Sequence, residues 1–220
     1  MSREFKLLVF DWDGTLMDSE ARIVACLRAA SADLGLEVLP DATIRNIIGL
    51  GLREAIDALY PGSNDEIHHG MTERYRHHFL TADPTPTQLF EGAAETLQAL
   101  AGEGYLLAVA TGKGRNGLNR VLEETGLLSL FHTTRCADET FSKPHPLMLT
   151  EIMEELGTEP DETLMIGDTE YDMLMARNAR TEALAVSYGV HELERLLKYE
   201  PAGHINSITE LLPWLASGPA

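Results

Sequence analysis

The chain has 220 residues, of which 44% are hydrophobic and 24% charged, an ordinary globular composition that excludes disorder and a disulfide-stapled miniprotein. Seventeen Lys plus Arg against thirty-five Asp plus Glu give a formal net charge of −18, which repels duplex phosphate, so no nucleic-acid partner is expected. A phosphorylated substrate suits such a chain only where a local cation, a bound metal or converging donors reverse the field inside one cleft.

Cys26 and Cys136, the two cysteines, form no C-x-x-C pattern, so neither a disulfide framework nor a zinc site is indicated and a reducing compartment fits. The stretch from Met1 to Lys6 leads into an apolar run that Asp11 and Asp13 interrupt, too short for a signal h-region. No run approaches the length of a membrane span, so the expectation is a cytoplasmic protein with no membrane partner.

Residues 5–10 read as a strand apolar on both faces, as in a buried parallel sheet. It runs into Asp11-Trp12-Asp13-Gly14-Thr15-Leu16, two carboxylates two residues apart where a strand ends and a turn begins. Two acids held together in a cleft repel unless a cation lies between them or one is protonated. The pair therefore suits Mg²⁺, with one carboxylate as nucleophile and the other as acid or base. An Asx-type turn with solvated acids is the bland alternative. A calcium loop would need Gly and Glu where Leu16 and Arg22 stand, so calcium is set aside.

Residues 18–82 carry only helical periods, such as Ile23, Leu27, Ala30 and Leu34, then Ile67, Met71, Tyr75 and His78. His68, His69, His77 and His78 in this segment read as a polar helix face, since none are spaced i, i+4 as paired metal ligands would be. The run from Thr81 to Thr87 reads as a semi-rigid linker. An all-helical insert directly after the first strand is expected to cap the carboxyl edge of the sheet, where ligands bind in open α/β folds.

Beyond it, helix and strand alternate: helix 93–102, strand 105–110, helix 116–125, a weaker strand 132–136, helix 144–156, strand 163–166, helix 170–179 and strand 183–186. That order implies a parallel sheet with helices on both faces. Pro144 suits a first helical turn, Gly157 with Pro160 a stop, and Ser207 with Glu210 a capping box before a final helix. Thr111, at a strand end with free backbone N–H groups behind it, could hold a phosphoryl oxygen without adding charge, or could simply cap. Lys143, before a Pro-initiated helix, marks a local anion site in an acidic chain; alone, a solvated lysine is the better reading. Asp168 and Asp172 share one face of a first helical turn and could reach one cation, or could merely stabilise the helix dipole. Gly112-Lys113-Gly114-Arg115-Asn116-Gly117 matches the dinucleotide fingerprint, but no acid closes the next strand and no second mononucleotide half follows.

The ordered set Asp11-x-Asp13-Gly14-Thr15, Thr111, Lys143 and Gly167-Asp168-x-x-x-Asp172 resembles the haloacid dehalogenase-like hydrolase superfamily. Within it the chain is most similar to the phosphoglycolate phosphatase and β-phosphoglucomutase group with a small α-helical cap. The resemblance implies a Rossmann-like α/β core over 1–17 and 83–220, with an all-α cap over 18–82. It implies a Mg²⁺-dependent phosphatase that hydrolyses a small phosphorylated metabolite through an aspartyl-phosphate. Asp11 is the implied nucleophile and Asp13 the acid, then base. Thr111 and Lys143 are implied as phosphoryl holders, with Gly112 and Arg53 also at the substrate. The implied metal site is Asp11, Asp168, Asp172 and the backbone carbonyl of Asp13. Gly112 stands where many members of the group carry Asn. Arg53, in a loop resembling one that reaches the active site, reads a substrate carboxylate or sugar, or else pairs with Asp57 one turn on. A sugar phosphomutase or an inorganic pyrophosphatase would share the same residues. The oligomeric state is open.

Overall fold

The computed structural model describes residues 5–217. Met1–Glu4, on which the expectation about a signal segment partly falls, lie outside the described residues. In chain order the strands and helices are β1 (Leu7–Phe10), β2 (Met17–Asp18), α1 (Glu20–Asp33), α2 (Asp41–Arg45), α3 (Leu52–Leu59) and α4 (Asp65–His77). Next come β3 (Gln88–Leu89), α5 (Ala93–Gly102), β4 (Leu106–Thr111), α6 (Arg115–Thr125), β5 (Thr133–Cys136) and α7 (Leu147–Leu156). The chain closes with β6 (Thr163–Gly167), α8 (Glu170–Ala179), β7 (Glu182–Val186), α9 (Leu193–Leu196), β8 (Gly203–Ile205) and α10 (Leu211–Ser217).

Six strands form one parallel sheet in the order β5-β4-β1-β6-β7-β8. Alternation along β1 explains why it sits at the centre. Leu8 and Phe10 belong to the apolar cluster on one face, Leu7 and Val9 to the cluster on the other, and all four are fully buried. The chain moves outward from β1 to β4 and β5, then returns to the other side at β6. The carboxyl end of β1 is therefore the point where strand order reverses, the usual crevice of an α/β sheet.

Between β2 and β3, which pair antiparallel through Met17 with Leu89 and Asp18 with Gln88, lie only helices. α1 to α4 enclose a third apolar cluster of their own, including Ile23, Leu27, Ile44, Ile56 and Met71. One π-helical turn, His78–Ala82, continues α4. Among the described residues, no helix is long and apolar enough to cross a membrane.

Several local expectations are corrected. α7 begins at Leu147 rather than at Pro144: a turn closed by His145 N–H donating to Ser142 O precedes it, with a cis Lys143–Pro144 bond. His68 is not on a polar face; it is buried, with Nε2 2.9 Å from Asp57 Oδ1. Ser207 caps the short turn Ile208–Glu210, but Glu210 reaches the N–H of Asn206 rather than that of Ser207. β8 and the β2–β3 ladder are additions.

Candidate active site

Asp11 is the first residue after β1, Thr111 the last of β4, and Asp168 the first after β6. The parallel register that pairs Phe10 with Val109 on one side and Ile166 on the other sets the three strand ends level. Asp172 lies in the first turn of α8. There it accepts from Thr169 N–H at 3.0 Å and Thr169 Oγ1 at 2.7 Å through one oxygen, so it caps the helix and serves the cleft at once. Its other oxygen, Oδ1, lies 2.6 Å from Lys143 Nζ. The same ammonium lies 2.8 Å from Asp11 Oδ1.

Lys143 is only 1% exposed, and an ammonium so deep is tolerated only because two carboxylates face it. Burial opposes its charge, but the attraction of Asp11 and Asp172 more than compensates and raises its pKa above the ordinary lysine value. Asp11, Asp168 and Asp172 are all buried, and one oxygen from each falls within 4.8 Å of the others. Were all three carboxylates ionised, one ammonium would leave two negative charges uncompensated. Burial drives Asp11 up to about 7, opposed by Lys143 and reinforced by Asp172. Burial likewise holds Asp168 well above the carboxylate range, with the charges of Asp11 and Asp172 adding to it.

These residues fit a divalent cation. Asp11 Oδ2 is buried with no hydrogen-bond partner, beside Asp168, whose oxygens accept from Thr15 Oγ1 (2.9 Å) and Val190 N–H (2.8 Å). The donors are all hard oxygens, the set that suits a hard divalent cation. Gly14 is dictated by this cluster: its φ is +79°, and a Cβ there would fall 2.1 Å from Asp168 Oδ2.

Asp13 points elsewhere. Its carboxylate lies outside the three-acid group, with Oδ1 accepting from Ser19 Oγ and 2.8 Å from Lys113 Nζ. Lys113 in turn lies 4.7 Å from the centre of the Phe79 ring, which belongs to the helical insert. Thr111 is fully buried, and its Oγ1 accepts from Lys113 N–H at 3.2 Å. Gly112 touches the insert directly, since a Cβ there would lie 2.4 Å from Leu50 O and 2.6 Å from Gly49 O. The same loop docks on the sheet edge through Gly51 N–H, which donates to Ser142 Oγ at 2.7 Å.

Arg53 is set apart from the others. It lines the outer cavity, yet its side chain is 66% exposed and its guanidinium is 3.3 Å from Asp65. The expected partner Asp57 is occupied by His68. Sequence reasoning missed Lys113 as a partner of Asp13, and Ser19 and Phe79 altogether. Lys113 stood beside Thr111 in the motif, but only the folded chain brings it to Asp13.

The cavity between sheet edge and helices has a volume of about 420 Å³, with Asp11, Asp13 and Thr111 to Lys113 at its floor. The arrangement can place an anionic ester between a buried ammonium and a cation site, with two carboxylates, Asp11 and Asp13, near the reacting atoms.

A family model described as haloacid dehalogenase-like hydrolase matches residues 8–186. The chain is 35% identical over 210 residues to "Probable phosphatase IndB" of Dickeya dadantii, spanning 94% of this chain and 91% of that protein. It is 30% identical over 214 residues to a phosphoglycolate phosphatase of Agrobacterium fabrum, with 95% and 91% covered. The crystal structure of a hydrolase from Pseudomonas syringae superposes with a TM-score of 0.88 at 23% identity, covering 96% of this chain and 98% of that one, and so shares the fold. The chain belongs to the haloacid dehalogenase-like hydrolase family.

Proposed function

We propose that the protein is a Mg²⁺-dependent phosphomonoester hydrolase acting on a small phosphorylated metabolite, with Asp11 as nucleophile. The observation that carries this reading is the fully buried Lys143 held between Asp11 and Asp172 in a cluster of three buried carboxylates. Relatives that bear phosphatase names support it.

In this reading Asp11, Asp168 and Asp172, with the backbone carbonyl of Asp13, would hold Mg²⁺. The ion would neutralise the phosphoryl group and the attacking carboxylate, allowing two anions to approach. Lys143 and Thr111 bind the phosphoryl oxygens, and Gly112 leaves its backbone close to them. An Asp11 oxygen attacks phosphorus in line with the ester oxygen, the P–O bond to the leaving alcohol breaks, and Asp13, carrying a proton on Oδ2 while Oδ1 stays with Lys113 and Ser19, gives that oxygen its proton. Asp13, now ionised, takes a proton from water, which attacks phosphorus and releases phosphate from Asp11. The helices over 18–82 act as a cap that excludes bulk water and selects the substrate.

The test is phosphate release from a panel of phosphoesters, with and without Mg²⁺, for wild type and Asp11→Asn. Metal-dependent release abolished in the variant supports the reading. Release that survives Asp11→Asn contradicts the nucleophile assignment.

A further inference from the structure

The cavity above the phosphoryl site has a composition that the chemistry of hydrolysis does not require. Its volume of about 420 Å³ is far more than a phosphorylated two-carbon hydroxy acid needs. Its walls above the floor are apolar: Leu27 from α1, Ile48 and Leu50 from the docked loop, Leu52 from α3, and Tyr75 and Phe79 from α4 and the turn after it.

The charges in that space are unfavourable for a second anionic group. Lys113, the inner cation, is already paired with Asp13 and stacked on Phe79. Arg53 and Arg76 are exposed at the rim, the former beside Asp65. The acids Glu54 and Asp138 are exposed at the same rim, Asp138 accepting from Arg115 N–H, so the four rim charges balance in sign. A carboxylate or a second phosphate attached close to the reacting phosphorus would lose its hydration against hydrocarbon, with the one inner cation already paired. An uncharged apolar body would gain from the same walls.

We infer that the substrate is the phosphate monoester of an uncharged, largely apolar alcohol, seated with its carbon body against Leu27, Ile48, Leu52, Tyr75 and Phe79. The inference rests on the phosphatase reading and deepens it. It disfavours phosphoglycolate and inorganic pyrophosphate as the preferred substrates of this chain.

The experiment compares kcat/KM for ethyl, butyl and hexyl phosphate, whose leaving groups share nearly the same intrinsic reactivity, with phosphoglycolate and pyrophosphate. The expected result is a rise of about fourfold per methylene until the cavity is filled, with hexyl phosphate above both anionic substrates. Phe79→Ala and Leu52→Ser should each lower the hexyl-to-ethyl ratio by about tenfold. The ratio is insensitive to the fraction of a variant that folds. A flat or falling series, with phosphoglycolate or pyrophosphate preferred, overturns the inference while leaving the phosphatase reading intact. Should no ester release phosphate, the phosphatase reading falls, and calorimetric binding of hexylphosphonate against methylphosphonate decides the cavity assignment. Tighter binding of the longer chain with a negative heat-capacity change supports it; equal or undetectable binding overturns it.

Discussion

The ammonium of Lys113 lies 2.8 Å from Asp13 Oδ1, with both side chains almost wholly withdrawn from solvent. Breaking one half of such a buried pair leaves a stranded charge, at a cost of about 3 kcal/mol. Lys113→Met is therefore expected to lower stability by that order, and Lys113→Met with Asp13→Asn to recover most of the loss. Urea unfolding of both single variants and the double closes the cycle. Simple additivity of the two single losses would show that the pair is not coupled.

The two outer glycines of the segment 112–117 should respond in opposite ways. A Cβ at Gly112 would collide with the carbonyls of Gly49 and Leu50, so Gly112→Ala must push the docked loop off the sheet edge. We expect kcat/KM to fall at least tenfold for every substrate. Gly117 lies inside α6 with nothing within 4 Å of a Cβ, so Gly117→Ala should stabilise by about 0.5–1 kcal/mol. Thermal melts of the two variants and their turnover check both statements.

Mg²⁺ should stabilise the protein markedly, because without it Asp11, Asp168 and Asp172 confront one another with only Lys143 between them. At a hundredfold excess over Kd the gain is about 2.7 kcal/mol, a rise in Tm of roughly 5–10 °C for a chain of this size. Asp168→Asn should abolish the shift. A full Mg²⁺ shift in that variant would remove Asp168 from the site.

Alkaline pH should destabilise the fold. Burial pushes the thiols of Cys26 and Cys136 from an ordinary 9.0 up to about 12, and raises Tyr188 above its usual value with help from the charge of Asp168. Between pH 9 and 12 the unfolded chain loses thiol protons that the folded chain keeps, so stability falls as pH rises through that window. Urea midpoints at pH 8, 9 and 10 should decline in order. Iodoacetamide at pH 8 should modify both thiols slowly unless urea is present. Rapid native-state alkylation would contradict their burial.

The sheet was legible because β1, β4, β6 and β7 are apolar on both faces, and only strands buried under two helical layers read that way. β8, with Gly203 and exposed His204 among its three residues, carries no such pattern. Asp11, Thr111 and Asp168 could be expected to meet because each ends a strand. Whether they hold neighbours could not, and Asp172 turns out to cap α8 and face Lys143 together. The pairing of Lys113 with Asp13, of His68 with Asp57 and of Arg53 with Asp65 depends on how the helices settle, which no local spacing encodes. In the G-x-G-x-x-G segment, Gly112 is required by the loop at Leu50 and Gly114 by the side chain of Asp138, while nothing approaches Gly117.

The central claim is that Asp11 becomes phosphorylated during turnover. The most direct measurement is to quench the enzyme during turnover of a good ester with Mg²⁺, reduce with borohydride, and map the product by mass spectrometry. Reduction at residue 11 to the alcohol, absent without substrate or without Mg²⁺, is the predicted result. Steady phosphate release with residue 11 never modified, together with activity retained in Asp11→Asn, would contradict it.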